Sequence, residues 1–451
     1  MNVAVIGCGY VGLTTSVALA CIGHRVHCIE KDTDQIKALQ KGLVLIHETG
    51  VPELLSEVKE RVSFGSWDSF DGDVDVIIIA VGTPRKKNGD ADLVYVEAVA
   101  RELGARLTGT SLPVIVNKST VPIGSARRVE SIVSLRLRER GVETPVAVAS
   151  NPEFLREGVA LLDTFYPDRI VVGADGDEAV RRLRELYAPL LEQSFVPPEF
   201  IPRPDGYRLP PFIVTTPTSA ELIKYAANTF LAMKVSYINE IACLAEKVGA
   251  DIREVAAGIG LDKRIGAYYL RAGVGWGGSC FGKDVQALIH TAGQYGLEMP
   301  LSSAAVYVNL RQREEIIKKL QTALKVIRGS TIGLLGLSFK PDTDDLRDAP
   351  SITIAGRLVE LGARVRAYDP VAMDNCRKNY PDLEVEYTCG PDELASGADA
   401  LVLLTEWKEF LQLPFSRLKN LMKQKVIIDG RNLLNAQEME HLGFKYYGFG
   451  S

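Results

Sequence analysis

Histidine is scarce in this chain, with 5 among 451 residues, and the seven cysteines (8, 21, 28, 243, 280, 376 and 389) form no CxxC pair. That scarcity argues against a structural zinc site, and no metal is expected. Excess positive charge is also missing. The formal net charge is -5 and the pI near 5.8, which argues against a general nucleic-acid surface while leaving room for a phosphorylated small molecule. No apolar run is long enough to span a membrane. The first strand-like run begins almost at Met1, so no secretory or transit segment is expected. An odd number of cysteines without such a segment fits the reducing cytoplasm.

What is present is an alternation of short apolar runs and helical stretches, in a chain long enough for two or three domains. From Met1 onward NVAVIG, HRVHCIE, VDVIIIAVGTP, PVIVNKST and VAVASNPEF read as strands with helices between several of them. Such alternation implies a parallel sheet covered on both faces. The proline-rich stretch 196–211 reads as a surface excursion. After it, TPTSAELIKYAANTFLAMKVSYINEIACLAEKVGAD reads as one long helix, with Thr218 or Ser219 to cap it and Gly249 to stop it. That helix is either a dimerisation spine or a buried intramolecular helix. From Ser330, STIGLLGLSFK, RVRAYDP, ADALVLLTEW and KVIIDGRN form a second, smaller set of strand-like runs. The expected fold is therefore α/β: two Rossmann-like parallel-sheet domains, 1–212 and 328–451, joined by a central long-helix domain, 213–327.

VAVIGCGYVG sets Gly7, Gly9 and Gly12 between a strand and an apolar helix. Glycines permit the tight turn, and the helix N-terminus accepts a pyrophosphate. The next strand-like run ends in Glu30, an acid suited to ribose hydroxyls and repulsive to a 2′-phosphate, so NAD is expected as cofactor. The alternative is a glycine turn of some other α/β protein. Thr83 follows an apolar run, at a place where open sheets line their cofactor crevice; an ordinary loop is the plainer reading.

The stretch VGWGGSCFGKD places Cys280 behind glycines and ahead of Lys283 and Asp284. Glycines let backbone approach a ligand, and a thiol with a cation and a carboxylate nearby is arranged like a nucleophile. Together with a nicotinamide site, this suggests carrying an aldehyde onward to an acid through a thiohemiacetal. Three further segments offer partners: Thr120 in NKSTVP, Glu153 and Glu157 in NPEFLREG, and Lys224 and Asn228 in AELIKYAAN. The spacing of each of the last two pairs puts both members on one face of a helical turn. Solvated helix faces, a helix cap at Thr120 and an inert buried thiol are the bland alternatives.

These motifs, with DKRIG, GLSFKPDTDDLRDAP and DGRN, resemble across nearly the whole chain those of the UDP-glucose 6-dehydrogenases within the UDP-glucose/GDP-mannose dehydrogenase family. The resemblance implies two successive NAD-dependent oxidations of UDP-glucose at C6, giving UDP-glucuronate. It implies Cys280 as nucleophile, Lys224 as proton-transfer and oxyanion group with Asn228 beside it, Asp284 and Thr120 orienting water, and Glu153 as acid/base in thioester hydrolysis. Cofactor contacts would come from Gly7, Gly9, Tyr10, Val11, Gly12, Glu30, Thr83, Thr120, Glu157, Lys283 and Arg347. Substrate contacts would come from Glu153, Phe154, Leu155, Arg156, Glu157, Lys224, Asn228, Tyr269, Gly273, Gly277, Phe339, Lys340 and Arg431. Arg264 would reach the substrate of a neighbouring subunit, so a homodimer or higher oligomer is implied.

The chain departs from the family pattern at Gln35, where a basic residue is frequent, in Leu45-Ile46-His47-Glu48-Thr49-Gly50, at Trp276 and at Gly282. The rival readings are a sister enzyme for another nucleotide sugar, a nucleotide-sugar-binding protein without catalysis, and a two-electron alcohol dehydrogenase. Cys280, Lys224 and Asp284 are all present, which disfavours the non-catalytic reading.

Overall fold

A computed structural model describes residues 1–86, 88–108 and 112–450. The chain forms two compact units, Met1–Ala226 with Gln286–Tyr295, and Ala227–Val285 with Gly296–Ser451. The first unit is built on β1 (Asn2–Ile6), β2 (Arg25–Ile29), β3 (Val62–Gly65), β4 (Val76–Ile79), β5 (Val114–Asn117), β6 (Val148–Ser150), β7 (Ile170–Gly173) and β8 (Phe212–Thr215). They lie in the order β3-β2-β1-β4-β5-β6-β7-β8. All neighbours run parallel except β6 and β7, which meet antiparallel at Ser150 and Gly173.

Strand periodicity explains why β1, β4, β5 and β7 are apolar almost throughout. Val3 and Val5 join one buried cluster with helices Tyr10–Cys21, Val51–Val58 and Asp177–Glu192. Ala4 and Ile6 point the other way, to a cluster with helices Val94–Arg106 and Ser125–Glu139. Successive side chains face opposite sides, so a sheet covered on both faces needs an unbroken apolar strand.

The second unit repeats the scheme with β9 (Thr331–Leu335), β10 (Arg364–Tyr368), β11 (Val385–Tyr387), β12 (Ala400–Leu403), β13 (Val426–Asp429) and β14 (Lys445–Tyr447). Their order is β11-β10-β9-β12-β13-β14, all parallel. Helices Pro300–Leu324 and Pro350–Glu360 cover one face, and Phe415–Leu421 and Ala436–His441 the other.

The long helix runs Pro217–Val248. Its cap is neither Thr218 nor Ser219. Thr216 Oγ1 accepts the Ser219 N–H at 3.2 Å, and Pro217, with no N–H to satisfy, opens the helix. The 196–211 stretch holds neither helix nor strand. Val196 is 87% exposed, but Ile201 is buried and the Tyr207 hydroxyl donates to Pro167 O at 3.0 Å, so the excursion is pinned to its unit. No described helix is long and apolar enough to cross a membrane.

Candidate active site

The turn after β1 has the geometry that its glycines require. Gly7 has φ +100°, and a Cβ there would stand 2.7 Å from Ala80 O. A Cβ on Gly12 would collide with Gly7 O, while one on Gly9 would meet only open space. Gly9 begins helix Tyr10–Cys21 with no side-chain cap, and the first turn carries no acid. The end of this helix therefore keeps its N–H donors and positive dipole for an anion, as a dinucleotide pyrophosphate requires. Half-buried Glu30 at the end of β2 accepts the Cys8 N–H through Oε2 at 2.9 Å and the Lys31 N–H through Oε1 at 2.8 Å. Gln35 Nε2 donates to Cys8 O at 2.8 Å, so the neutral side chain at this position tethers the same turn. The Lys31 ammonium lies 4.2 Å from the Tyr95 ring centroid. Thr83 Oγ1 donates to Thr120 O at 2.7 Å and joins the loops after β4 and β5, which places both residues at the carboxyl edge of the sheet.

Glu153 and Glu157 do not share a helical face. The NPEFLREG segment is loop and turn. Pro152 disfavours a helical conformation at Asn151, and the Glu153 carboxylate turns back to accept the Leu155 N–H at 2.8 Å. Its other oxygen meets Lys224 Nζ at 2.9 Å, and the two side chains are only 7% and 4% exposed. Burial alone would raise the Glu153 carboxyl. The Lys224 ammonium and the Leu155 N–H outweigh it and hold the group below the ordinary carboxylate range. Glu157 is buried as well. Arg156 forms a bidentate pair with Asp163 at 2.7 and 3.0 Å, and Phe154 lies under Arg169 at 3.8 Å.

In the second unit, Cys280 is half-buried and directly precedes helix Phe281–Gln294, whose first turn carries Asp284. Its Sγ is 3.4 Å from Ser279 Oγ. Fully buried Asp284 accepts from Asn228 Nδ2 at 2.6 Å and pairs with Lys283 Nζ at 2.5 Å. Asn228 and Lys224 lie one turn apart on the long helix, so each unit of the chain holds one of these two polar groups on a partner of its own.

The remaining expected contacts fall in two settings. Arg431 donates through Nη2 to Phe339 O at 2.9 Å, through Nη1 to Gly275 O at 3.1 Å and through Nε to Leu404 O at 2.8 Å. It ties the glycine loop to the ends of β9 and β12. Gly273 and Gly277 have no room for a Cβ, which would collide with Gly430 O and Asp348 O. Lys340 Nζ sits 5.5 Å from the Phe339 centroid, and Tyr269 packs on Phe281 at 6.0 Å. Arg347 pairs with Asp345 at 2.7 Å, with its side chain 59% exposed. Arg264 pairs with Asp262, and its side chain is 88% exposed.

Two carboxylates with no mark in the local pattern hold this machinery in shape. Glu221 accepts the Gly124 and Ala126 N–H groups at 2.6 and 2.8 Å, capping helix Ser125–Glu139 just beyond the Thr120 loop. Burial pushes its carboxyl up to about 7 against those donors. Glu48, from the altered LIHETG run, accepts from Gly158 and Ala160 at 2.6 and 2.8 Å and caps helix Ala160–Phe165. Among the described residues no cluster of histidine, cysteine or acid side chains could hold a metal ion.

The UDP-glucose/GDP-mannose dehydrogenase family matches this chain with its NAD binding domain over residues 1–191, its central domain over 218–311 and its UDP binding domain over 333–436. A UDP-glucose 6-dehydrogenase of Rhizobium meliloti (strain 1021) is 45% identical, over 100% of this chain and 99% of that protein. One from Bacillus subtilis (strain 168) is 42% identical over 100% and 98%. The structure of a UDP-glucose dehydrogenase from the hyperthermophilic archaeon Pyrobaculum islandicum superimposes with a TM-score of 0.86 at 37% identity, covering 99% of this chain and 96% of that one. The chain belongs to the UDP-glucose/GDP-mannose dehydrogenase family and is an NAD-dependent oxidoreductase.

Proposed function

We propose that this protein oxidises C6 of UDP-glucose twice, giving UDP-glucuronate and two NADH. Full-length relatives of that activity support the substrate, and Cys280 at a helix start behind a tightly held glycine loop supports the mechanism. The position of Cys280 is the observation that carries the reading. Bound NAD accepts the two electrons removed at each oxidation. The glycine turn and Glu30 seat that cofactor, with Tyr10, Val11, Thr83, Glu157, Lys283 and Arg347 as further contacts.

In this reading Lys224 assists transfer of the proton released as the C6 alcohol becomes an aldehyde, taking it up as it hands its own to the paired Glu153 carboxylate and on to solvent, with Asn228 beside it. The Cys280 sulfur then adds to the aldehyde carbon, forming a C–S bond and a hemithioacetal oxygen that Lys224 stabilises. The second oxidation leaves a thioester. Water, oriented by Asp284 and Thr120, adds to the acyl carbon, the C–S bond breaks, and Cys280 regains its proton. Glu153, whose carboxylate Lys224 keeps ionised, receives the proton from that water. Phe339, Lys340 and Arg431 hold the UDP-glucose, with Phe154, Leu155, Arg156, Tyr269, Gly273 and Gly277 along the sugar. The protein acts as a homodimer or larger assembly in the cytoplasm. Phe230, Tyr237, Leu244 and Val248, exposed at 61, 53, 57 and 67%, mark an apolar stripe on the long helix for a second copy, and Arg264 reaches that copy's substrate.

The test is NADH formed per mole of limiting UDP-glucose, for the native protein and for Cys280→Ser. Two NADH with glucuronate, and a stalled variant, is the expected result. One NADH overturns the covalent mechanism, and turnover only with GDP-mannose or an N-acetyl sugar overturns the substrate.

A further inference from the structure

The stretch from Gly273 to Gly278 has no regular secondary structure, yet its backbone is buried, so its polar groups need partners. They come largely from side chains. Asn239 Oδ1 accepts the Gly273 N–H at 2.8 Å, and Gln312 Nε2 donates to Gly273 O at 2.9 Å. Three residues on, a single side chain does both. Asn309 Oδ1 accepts the Trp276 N–H at 2.7 Å, and Asn309 Nδ2 donates to Trp276 O at 2.9 Å. Asn309 is 1% exposed, on helix Pro300–Leu324. A flat amide meeting both polar groups of one residue reproduces the pairing of a neighbouring strand.

Other observations show how closely the loop is fitted to this amide. Gly275 has φ +96°, and a Cβ there would collide with Asn309 Oδ1. The Trp276 indole is fixed as well. Its Nε1 donates to Ser236 Oγ at 3.0 Å, and Ser236 donates onward to Ala305 O at 2.7 Å. The ring stands edge-on to Phe281, 6.2 Å between centroids and 87° between planes. Phe281 adjoins Cys280. A chain of direct contacts thus runs from Asn309 through Trp276 and Phe281 to the residue that bears the thiol.

We propose that Asn309 is a positioning residue for Cys280, setting the loop that presents the thiol by clamping the Trp276 backbone. This rests on the reading of Cys280 as nucleophile. Asparagine is required because only an amide both accepts and donates in that plane. Asn309→Asp keeps the volume and the acceptor but removes the shorter of two donors to Trp276 O, leaving the Arg313 Nη2 contact at 3.3 Å.

The experiment compares native protein, Asn309→Asp and Cys280→Ser by kcat and KM for UDP-glucose and by the rate at which iodoacetamide alkylates Cys280. The expected result for Asn309→Asp is a kcat about 10- to 100-fold lower, the cost of a small misplacement of a reacting group, with KM within about threefold and an altered alkylation rate. A kcat and an alkylation rate both within about twofold of native overturn the proposal. If Cys280→Ser still makes two NADH, the nucleophile reading fails instead, and the alkylation rate in Asn309→Asp still decides whether the clamp sets the thiol. Should that variant not fold, exchange of the Trp276 N–H in the native protein decides. Protection equal to that of the β9 core supports the clamp, and exchange as fast as the exposed loops overturns it.

Discussion

The two sheets of this chain have the same strand order about their first strand, and both begin with the same turn. Gly7 and Gly336 have φ +100° and +95°. Each donates to the last carbonyl of the adjacent strand, Ile29 O and Tyr368 O, at 2.8 Å. The next N–H in each case goes to an acid just past that strand, Cys8 to Glu30 at 2.9 Å and Leu337 to Asp369 at 2.7 Å. There the likeness ends. Glu30 is half-buried, and a helix starts at Tyr10. Asp369 is 0% exposed and also accepts from Ser338, Val371, Ala372 and the Trp407 indole. No helix follows its turn until Pro350. The dinucleotide device therefore depends on a longer acid left open to a ligand and a helix end that is not consumed, and the topology alone does not supply it.

The sharpest way to break this comparison is to remove both acids. Asp369→Ala leaves several buried donors without an acceptor and should cost about 3–5 kcal/mol in denaturant melts of the second unit. Glu30→Ala should leave folding nearly intact and raise the KM for NAD about tenfold; equal stability losses would erase the distinction. Gly7→Ala and Gly336→Ala should each cost about 2–3 kcal/mol, from forced left-handed backbone and collision with Ala80 or Thr405. Only the first should also abolish NAD binding, measured by fluorescence titration.

A smaller contrast appears in acid. The folded state holds Glu153 below its unfolded value of about 4.3, so its contribution is present above that pH and is lost as pH falls through the folded value. In the second unit burial raises Asp429, outweighing the Leu434 and Arg431 N–H groups and the Tyr446 hydroxyl. Its contribution is present below about 3.9 and is lost as pH rises through the raised value. Hydrogen-exchange protection followed from about pH 7 to pH 3 should fall in the Lys224–Glu153 region and not around Asp429; Glu153→Gln should abolish that fall.

Most strands buried on two faces were legible, although β7 (IVVG), buried at every position, was passed over. β1, β4 and β5 and their counterparts β9, β12 and β13 are almost wholly apolar, because helices cover both sides, whereas β2 (RVHCI) and β10 (RVRAY) alternate apolar with polar residues. Three edge strands, β3, β11 and β14, with sequences VSFG, VEY and KYY, carry too little apolar signal to stand out, and the fourth, β8 (FIVT), is a four-residue run that was passed over beside the proline-rich stretch. In the candidate site, Cys280 announced itself through its glycines and Glu30 through its place after a strand. NPEFLREG misled because spacing of four was read as a helix across a segment that Pro152 and the Glu153–Leu155 bond turn into a loop. Glu221 and Glu48 lie inside runs that drew notice, AELIKYAAN and LIHETG, but nothing local marked them as helix caps. Their partners lie 97 and 110 residues away in sequence, and pairing at that separation is a property of the folded chain.

Gly275 carries a consequence for reading mutational-tolerance maps of this protein. A complete substitution scan scored by growth or product would show position 275 rejecting every replacement, as harshly as position 280. A ranking by intolerance would group the two as chemically engaged. The intolerance at 275 comes from its left-handed backbone, φ +96°, and from the Asn309 oxygen occupying the volume of its absent side chain, and neither cause is a role in the reaction.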